Sequence, residues 1–110
     1  MIIDFKDIKE VKINGFKGGQ GELDTPNFVD EKIKIMKSIL KPGACSGLHT
    51  HEGNCEVMYI LKGELTYHYD GKIEVAHAGQ VHYCPMGHNH YFENLTNEDV
   101  EYLAIVPEHH

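Results

Sequence analysis

Residues 43–63 read GACSGLHTHEGNCEVMYILKG, with His49, His51 and Glu56 inside eight residues, between two glycines. His49 and His51 are one residue apart. On an extended chain, residues i and i+2 point to the same side, so both imidazoles can aim at one point. Glu56 opens the next apolar run, EVMYIL, after residues 52–55. An antiparallel return would set its carboxylate across from the two histidines. Imidazole plus carboxylate suits a first-row divalent ion such as Fe, Mn, Ni, Cu or Zn. The competing reading is a polar turn between two strands, with no ligand role.

Residues 79–94, GQVHYCPMGHNHYFEN, carry a second histidine-rich segment. Between and around the two segments the pattern is that of strands. Residues 32–40, KIKIMKSIL, alternate with period two until the final Ile39-Leu40 pair. Further strands are expected at 56–61, 65–69, 72–76, 81–84, 90–93 and 100–106, separated by glycine, proline or polar turns. Asp70-Gly71 marks a hairpin. Residues 1–14 read as an opening strand or extended arm. Residues 15–26, with four glycines and a proline, read as a loop without a regular element. No segment of helix length shows a 3.6-residue period, so the chain is expected to be an all-β sandwich or barrel.

Composition narrows the function. The chain has 110 residues, enough for one domain, and a formal net charge of −7. Its ten basic residues are all lysine, which argues against nucleic-acid partners and against a bidentate arginine clamp. No apolar run reaches the ~20 residues of a membrane span, and the N-terminus lacks the basic and apolar stretches of a secretion signal. A soluble, cytoplasmic protein is expected, with Cys45, Cys55 and Cys84 as free thiols. His109 and His110, at the C-terminus, resemble the stub of an expression tag and are set aside.

The two segments together resemble the paired motif of the cupins. The first runs Gly43, five residues, His49, one, His51, four, Glu56, six, Gly63. The second runs Gly79, five, Pro85, one, Gly87, two, His90, three, Asn94, after an interval of 15 residues. The loop GFKGGQGE also resembles the Gly-Gly-x-Gly loop of some small cupins. The resemblance implies one cupin domain over 1–110, folded as a jelly roll (double-stranded β-helix), often a homodimer. It also implies one divalent transition metal held by His49, His51, Glu56 and His90. A closed barrel could bring His90 opposite the first pair, and four protein ligands would leave one or two coordination positions open.

Strand parity extends the reading to a pocket. With Glu56 facing a metal, Met58 and Ile60 share its side; with His90 inward, Phe92 and Asn94 follow. These four are expected as pocket wall, with plain core as the alternative. His68, His77, His82 and His88 are expected at the surface or behind the ligands. Tyr59, Tyr67, Tyr69, Tyr83, Tyr91 or Glu52 could move a proton, although no catalytic residue is singled out. Lys37 is the lysine with a route inward, since it shares a face with Ile33 and Ile35, but exposure is expected for it too. The resulting function is a metal-dependent enzyme of oxygenase, isomerase or lyase type acting on a small organic molecule. The alternative is a module that binds or senses a small ligand or sugar without turnover.

Overall fold

Antiparallel strands dominate the chain. The computed structural model describes residues 1–109; His110 lies outside them, and nothing in it bears on the terminal stub. The strands are β1 (Lys12–Asn14), β2 (Glu22–Asp24), β3 (Asn27–Val29), β4 (Ile33–Leu40), β5 (His49–Thr50), β6 (Glu56–Lys62), β7 (Glu64–Tyr69), β8 (Lys72–His77), β9 (Val81–Cys84), β10 (Asn89–Glu93) and β11 (Val100–Pro107). Two sheets form, one in the order β1-β2-β4-β11-β6-β9 with β3 also on β4, the other β5-β10-β7-β8. This is the jelly-roll barrel, and the all-β expectation holds. None of the described helical turns is long and apolar enough to cross a membrane.

Two expectations fail near the N-terminus. Residues 15–26 are not wholly irregular: they contain a 3-10 turn at Phe16–Gly18 and strand β2. Residues 1–14 hold a 3-10 turn at Phe5–Asp7, capped by Asp4, before β1. The strand β3 also had no signal of its own. Both β2 and β3 are three residues long and take successive stretches of one edge of β4. Such short strands exist because β4 offers an unpaired edge, a cause that local propensity does not contain.

The core lies between the sheets, with Leu40, Met58, Ile60, Leu65, Tyr67, Phe92, Val100 and Tyr102 buried. Strand β4 decides how the barrel is oriented. Ser38 and Leu40 are buried, and Lys34 and Met36 reach the barrel mouth on the same side. By parity Ile33, Ile35, Lys37 and Ile39 therefore face outward. Lys37 is exposed, as expected, while Lys34 is the lysine that turns inward.

Candidate metal centre

The four motif residues converge from both sheets. His49 on β5 lies directly opposite His90 on β10. His51, just past β5, donates its backbone N–H to His88 O at 3.1 Å, and its own carbonyl accepts from Gly87 N–H at 2.7 Å. Glu56 begins β6 in the other sheet. The expected hairpin return is thus corrected: β5 pairs with β10, β6 pairs with β9 and β11, and Glu56 meets the histidines across the barrel interior. The loop at residues 52–55 carries the chain from one sheet to the other.

The ligand atoms lie close together. His90 Nε2 is 2.9 Å from His49 Nε2, 3.0 Å from His51 Nε2 and 3.0 Å from Glu56 Oε1; His51 Nε2 is 3.3 Å from the same oxygen. Two donors each about 2.1 Å from an ion and at right angles to each other are about 3.0 Å apart. The three contacts of His90 therefore have the spacing of adjacent positions around a six-coordinate ion. His51, Glu56 and His90 are buried, and His49 is half-buried.

The outer ring nitrogens explain why the inner ones are free. His49 Nδ1 is 2.8 Å from Gly47 O, a pure acceptor, so it carries the proton. His51 Nδ1 is 2.6 Å from Asn54 Oδ1. The Asn54 amide is oriented by Glu108, whose carboxylate oxygens accept from Nδ2 at 3.3 and 3.5 Å. In neutral rings both Nε2 atoms then present lone pairs to the centre, the tautomer that a metal requires. Three imidazole nitrogens and a carboxylate oxygen sharing one point fit a cation once the rings are neutral and their inner nitrogens are free of protons. His90 Nδ1 is buried without a partner among the described residues.

Gly47 also ties the site to the glycine-rich loop. Its N–H donates to Phe16 O at 2.9 Å. A Cβ at Gly47 would lie 1.8 Å from Lys17 O, so only glycine permits this approach. Lys17 itself takes φ 53°, left-handed and uncommon for a non-glycine residue.

Electrostatics favour a charged centre. Burial alone would raise the Glu56 carboxyl, but hydrogen bonds from His49, His51 and His90 and the charge of His90 hold it well below the usual carboxylate range. Burial likewise pulls the His51 imidazolium down, yet Glu56 and Asn54 outweigh it and the net shift is upward. His90 moves down, through burial first and then the charges of His49 and His51, against the pull of Glu56.

A cavity of about 220 Å³ opens onto the cluster. Its walls include Phe16 and Lys17 from the glycine loop, Val29 from β3, Lys34 and Met36 from β4, and Glu52. Met58, Ile60, Phe92 and Asn94, expected as pocket wall, are not among its lining residues. Met58, Ile60 and Phe92 are packed in the core, and Asn94 donates to Leu40 O and Glu98 O at 2.9 and 2.7 Å. The parity was right, since all four point inward; they lie deeper than the ligands, on the far side from the opening. No tyrosine lines the cavity either. Tyr67 is buried, with its hydroxyl on Met58 Sδ at 3.4 Å. His68, His77, His82 and His88 each face a carboxylate of their own, on Glu93, Glu64, Glu74 and Asp70. Cys45, Cys55 and Cys84 are free thiols, and burial, with Glu56 next, pushes Cys84 up to about 12.

Sequence reasoning missed Gly47, Asn54, Lys17 and Lys34. Asn54 had a faint signal: a polar side chain three residues after His51, within reach of it in a tight turn. The wall residues of β3 and β4 had none, because they belong to neither motif segment.

A jelly roll with three histidines and a glutamate converging inside its mouth defines a cupin with a metal-type centre. The family model described as "Cupin domain" matches residues 36–106, and the chain belongs to the cupin family. It is 34% identical to the oxalate-binding protein of Thermotoga maritima, over 96% of this chain and 93% of that one. A crystal structure described as a predicted oxalate decarboxylase from Thermotoga maritima superposes with a TM-score of 0.90 at 33% identity, covering 98% and 99% of the two chains. The oxalate decarboxylase OxdC of Bacillus subtilis is 31% identical over 79% of this chain, which spans only 24% of that protein.

Proposed function

We propose that His49, His51 and His90, through Nε2, and Glu56, through Oε1, hold one divalent transition metal ion, and that the site takes a small carboxylate of the oxalate class. The observation that carries this reading is the convergence of three imidazole nitrogens and one carboxylate oxygen, with spacings of about 3 Å. A bound ion would supply Lewis acidity and open positions for a carboxylate oxygen. Lys17 and Lys34 stand on the cavity wall, and neither has an ion-pair partner among the described residues. They would balance the ligand's remaining charge in a chain that is otherwise acidic. Val29, Met36, Val106 and Phe16 supply apolar wall that limits water. The name of the oxalate-binding relative points the same way.

A second reading, turnover of the bound carboxylate, is favoured by Glu52, a carboxyl group on the cavity wall able to carry a proton. For oxalate, a lyase would break the carbon–carbon bond, release carbon dioxide and place a proton on the carbon left behind as formate. The reading treats 1–110 as one cupin domain, and the three free thiols favour a cytoplasmic setting.

Elemental analysis after loading with single metals, followed by calorimetric titration with oxalate, acetate and a neutral sugar, tests the proposal. One equivalent of metal, and oxalate binding that needs it, are expected. No metal uptake, or oxalate binding indifferent to the metal, would sink it. Carbon dioxide release from metal-loaded protein decides between holding the ligand and consuming it.

A further inference from the structure

Two of the three candidate ligand histidines have anchored outer nitrogens. His49 Nδ1 faces Gly47 O, and His51 Nδ1 faces Asn54 Oδ1, whose amide is tied to Glu108. His90 is the exception. Its Nε2 stands within 3.0 Å of the other three ligand atoms. Its Nδ1 is buried and has no partner among the described residues. Buried polar atoms seldom go unpaired, and a metal-ligating histidine nearly always gives its outer N–H to an acceptor. With Nε2 turned to an ion, the Nδ1 of a neutral His90 is a donor that needs an acceptor.

A buried acceptor lies beside it. His82, on β9, is directly opposite Met58, one two-residue step deeper than the Glu56–Cys84 pair. Its Nε2 is 2.8 Å from Glu74 Oε1. A carboxylate only accepts, so in the neutral ring Nε2 carries the proton and Nδ1 keeps a lone pair. That Nδ1 is also buried without a partner among the described residues. The ring stacks on Tyr67 at a centroid distance of 3.8 Å and meets Tyr69 edge-on at 5.4 Å, contacts that hold its plane. The centroids of His82 and His90 are 6.2 Å apart. Two hydrogen bonds of about 2.9 Å through one water span up to about 5.8 Å between nitrogens, and buried waters commonly satisfy such pairs of polar atoms. The rings are close enough for one water to join the donor to the acceptor.

We infer that His82 and Glu74 are positioning residues for His90, acting through a chain that runs from the Glu74 carboxylate to His82, through one water, to His90 Nδ1. The inference rests on the metal reading above. The chain repeats the arrangement around His51, where Glu108 reaches the ligand through Asn54. In both, a carboxylate acts through one intervening side chain. A carboxylate at the far end raises the basicity of the ligating nitrogen and fixes its direction. Topology places the chain where the two sheets do not pair. Strands β8 and β9 are the edges of their sheets, and the contact of Glu74 with His82 crosses the gap between them. A cleft of about 380 Å³ opens there, with Tyr69, Glu74 and His82 in its wall. Glu74 is 53% exposed and forms the solvent end of the chain. None of these three residues lines the ligand cavity, so the chain acts on the ion and not on the ligand.

Nitrogen NMR of the zinc-loaded protein, with zinc affinity from chelator competition, tests the inference. His90 is expected to carry its proton at Nδ1 alone and His82 at Nε2 alone, with the His90 proton exchanging slowly with solvent. His82→Phe keeps an aromatic ring on Tyr67 and removes both nitrogens. It should weaken zinc binding about 10–100-fold and speed that exchange. Glu74→Ala, at a half-exposed position on an edge strand, should weaken zinc binding about tenfold and leave the apo unfolding midpoint unchanged. Glu74→Gln, whose amide oxygen still accepts from His82 Nε2, should recover most of that loss; a merely structural role would not separate the two variants. Wild-type protein that takes up no zinc would overturn the metal reading and this inference with it. One equivalent of zinc with His82 protonated at Nδ1, or with an affinity that neither His82→Phe nor Glu74→Ala moves, would overturn this inference alone. If His82→Phe fails to fold, the wild-type spectrum and the Glu74 variants decide.

Discussion

The mouth and the floor of this barrel are built from the same strands, yet they do opposite things. Along β6 the inward residues run Glu56, Met58, Ile60; along β10 they run His90, Phe92, and Asn94 follows just beyond. All six are buried. One two-residue step, about 6.7 Å of strand, separates a ligand from a core side chain. At the mouth, buried polar atoms face one another across the sheets and ask for a cation. At the floor, Phe92 packs between Tyr67 and Tyr102, at ring centroid distances of 5.9 and 5.8 Å, and the barrel closes without polar demand. The difference shows that burial does not distinguish a site from a core; what matters is whether the buried atoms satisfy one another.

Substitutions at matched positions can break this comparison. The largest effect is expected for His90→Ala, which removes the ligand that touches all three others. Metal content measured by mass spectrometry should fall to background, and a retained equivalent would show that the cluster is not the site. Two residues deeper, Phe92→Ala should cost about 3–5 kcal/mol of stability by chemical denaturation, through lost burial and a residual cavity. The folded fraction should still bind a full equivalent of metal. If Phe92→Ala emptied the site as thoroughly as His90→Ala, mouth and floor would be one cooperative unit.

Smaller effects sharpen the boundary of the mouth. Asn54→Ala removes the acceptor on His51 Nδ1 and leaves all four ligands in place. Metal affinity measured by chelator competition should drop about 10–100-fold, with little change in the apo protein's unfolding midpoint. An unchanged affinity would make the Glu108–Asn54–His51 chain structural only.

The pH dependence of the metal-free protein should be weaker still. Glu56 is depressed in the folded state, so its contribution is full above its unfolded value near 4.5 and is lost as pH falls through the depressed folded value. His51 is raised, so its contribution is present below 6.5 and fades as pH rises through the raised value. His90, lowered, opposes it over the neighbouring range. Apo stability should therefore fall at acid pH, and Glu56→Gln should reduce the acid slope. An acid slope untouched by Glu56→Gln would mean that other carboxylates carry it.

Most of the strand plan from residue 33 onward was legible, because alternation and turn residues are local signals. The four converging side chains were legible through the resemblance of the two motif segments to the cupins; local spacing supported His49 and His51, while the hairpin return expected for Glu56 was wrong. The cavity wall was not. Met58, Ile60 and Phe92 have the right parity, but parity says only that a side chain points inward, and depth depends on where the barrel closes. Lys34 and Met36 have the composition of an outer face, while Ile33, Ile35 and Ile39 have that of an inner one. The packing of β4 against β11 reversed both.

The sequence alone pointed to the family, the period-two elements and the identity of the candidate ligands, since the elements rest on residues a few positions apart and the other two on a pair of spaced motifs. Only the tertiary structure decided that Glu56 reaches the histidines across the barrel and not along a hairpin. It also decided that Gly47 and Asn54 face the outer nitrogens of His49 and His51, and that Lys17 and Lys34 line the cavity. Those outcomes depend on which distant strands pair and which edges they leave free, and strand pairing is a property of the whole chain.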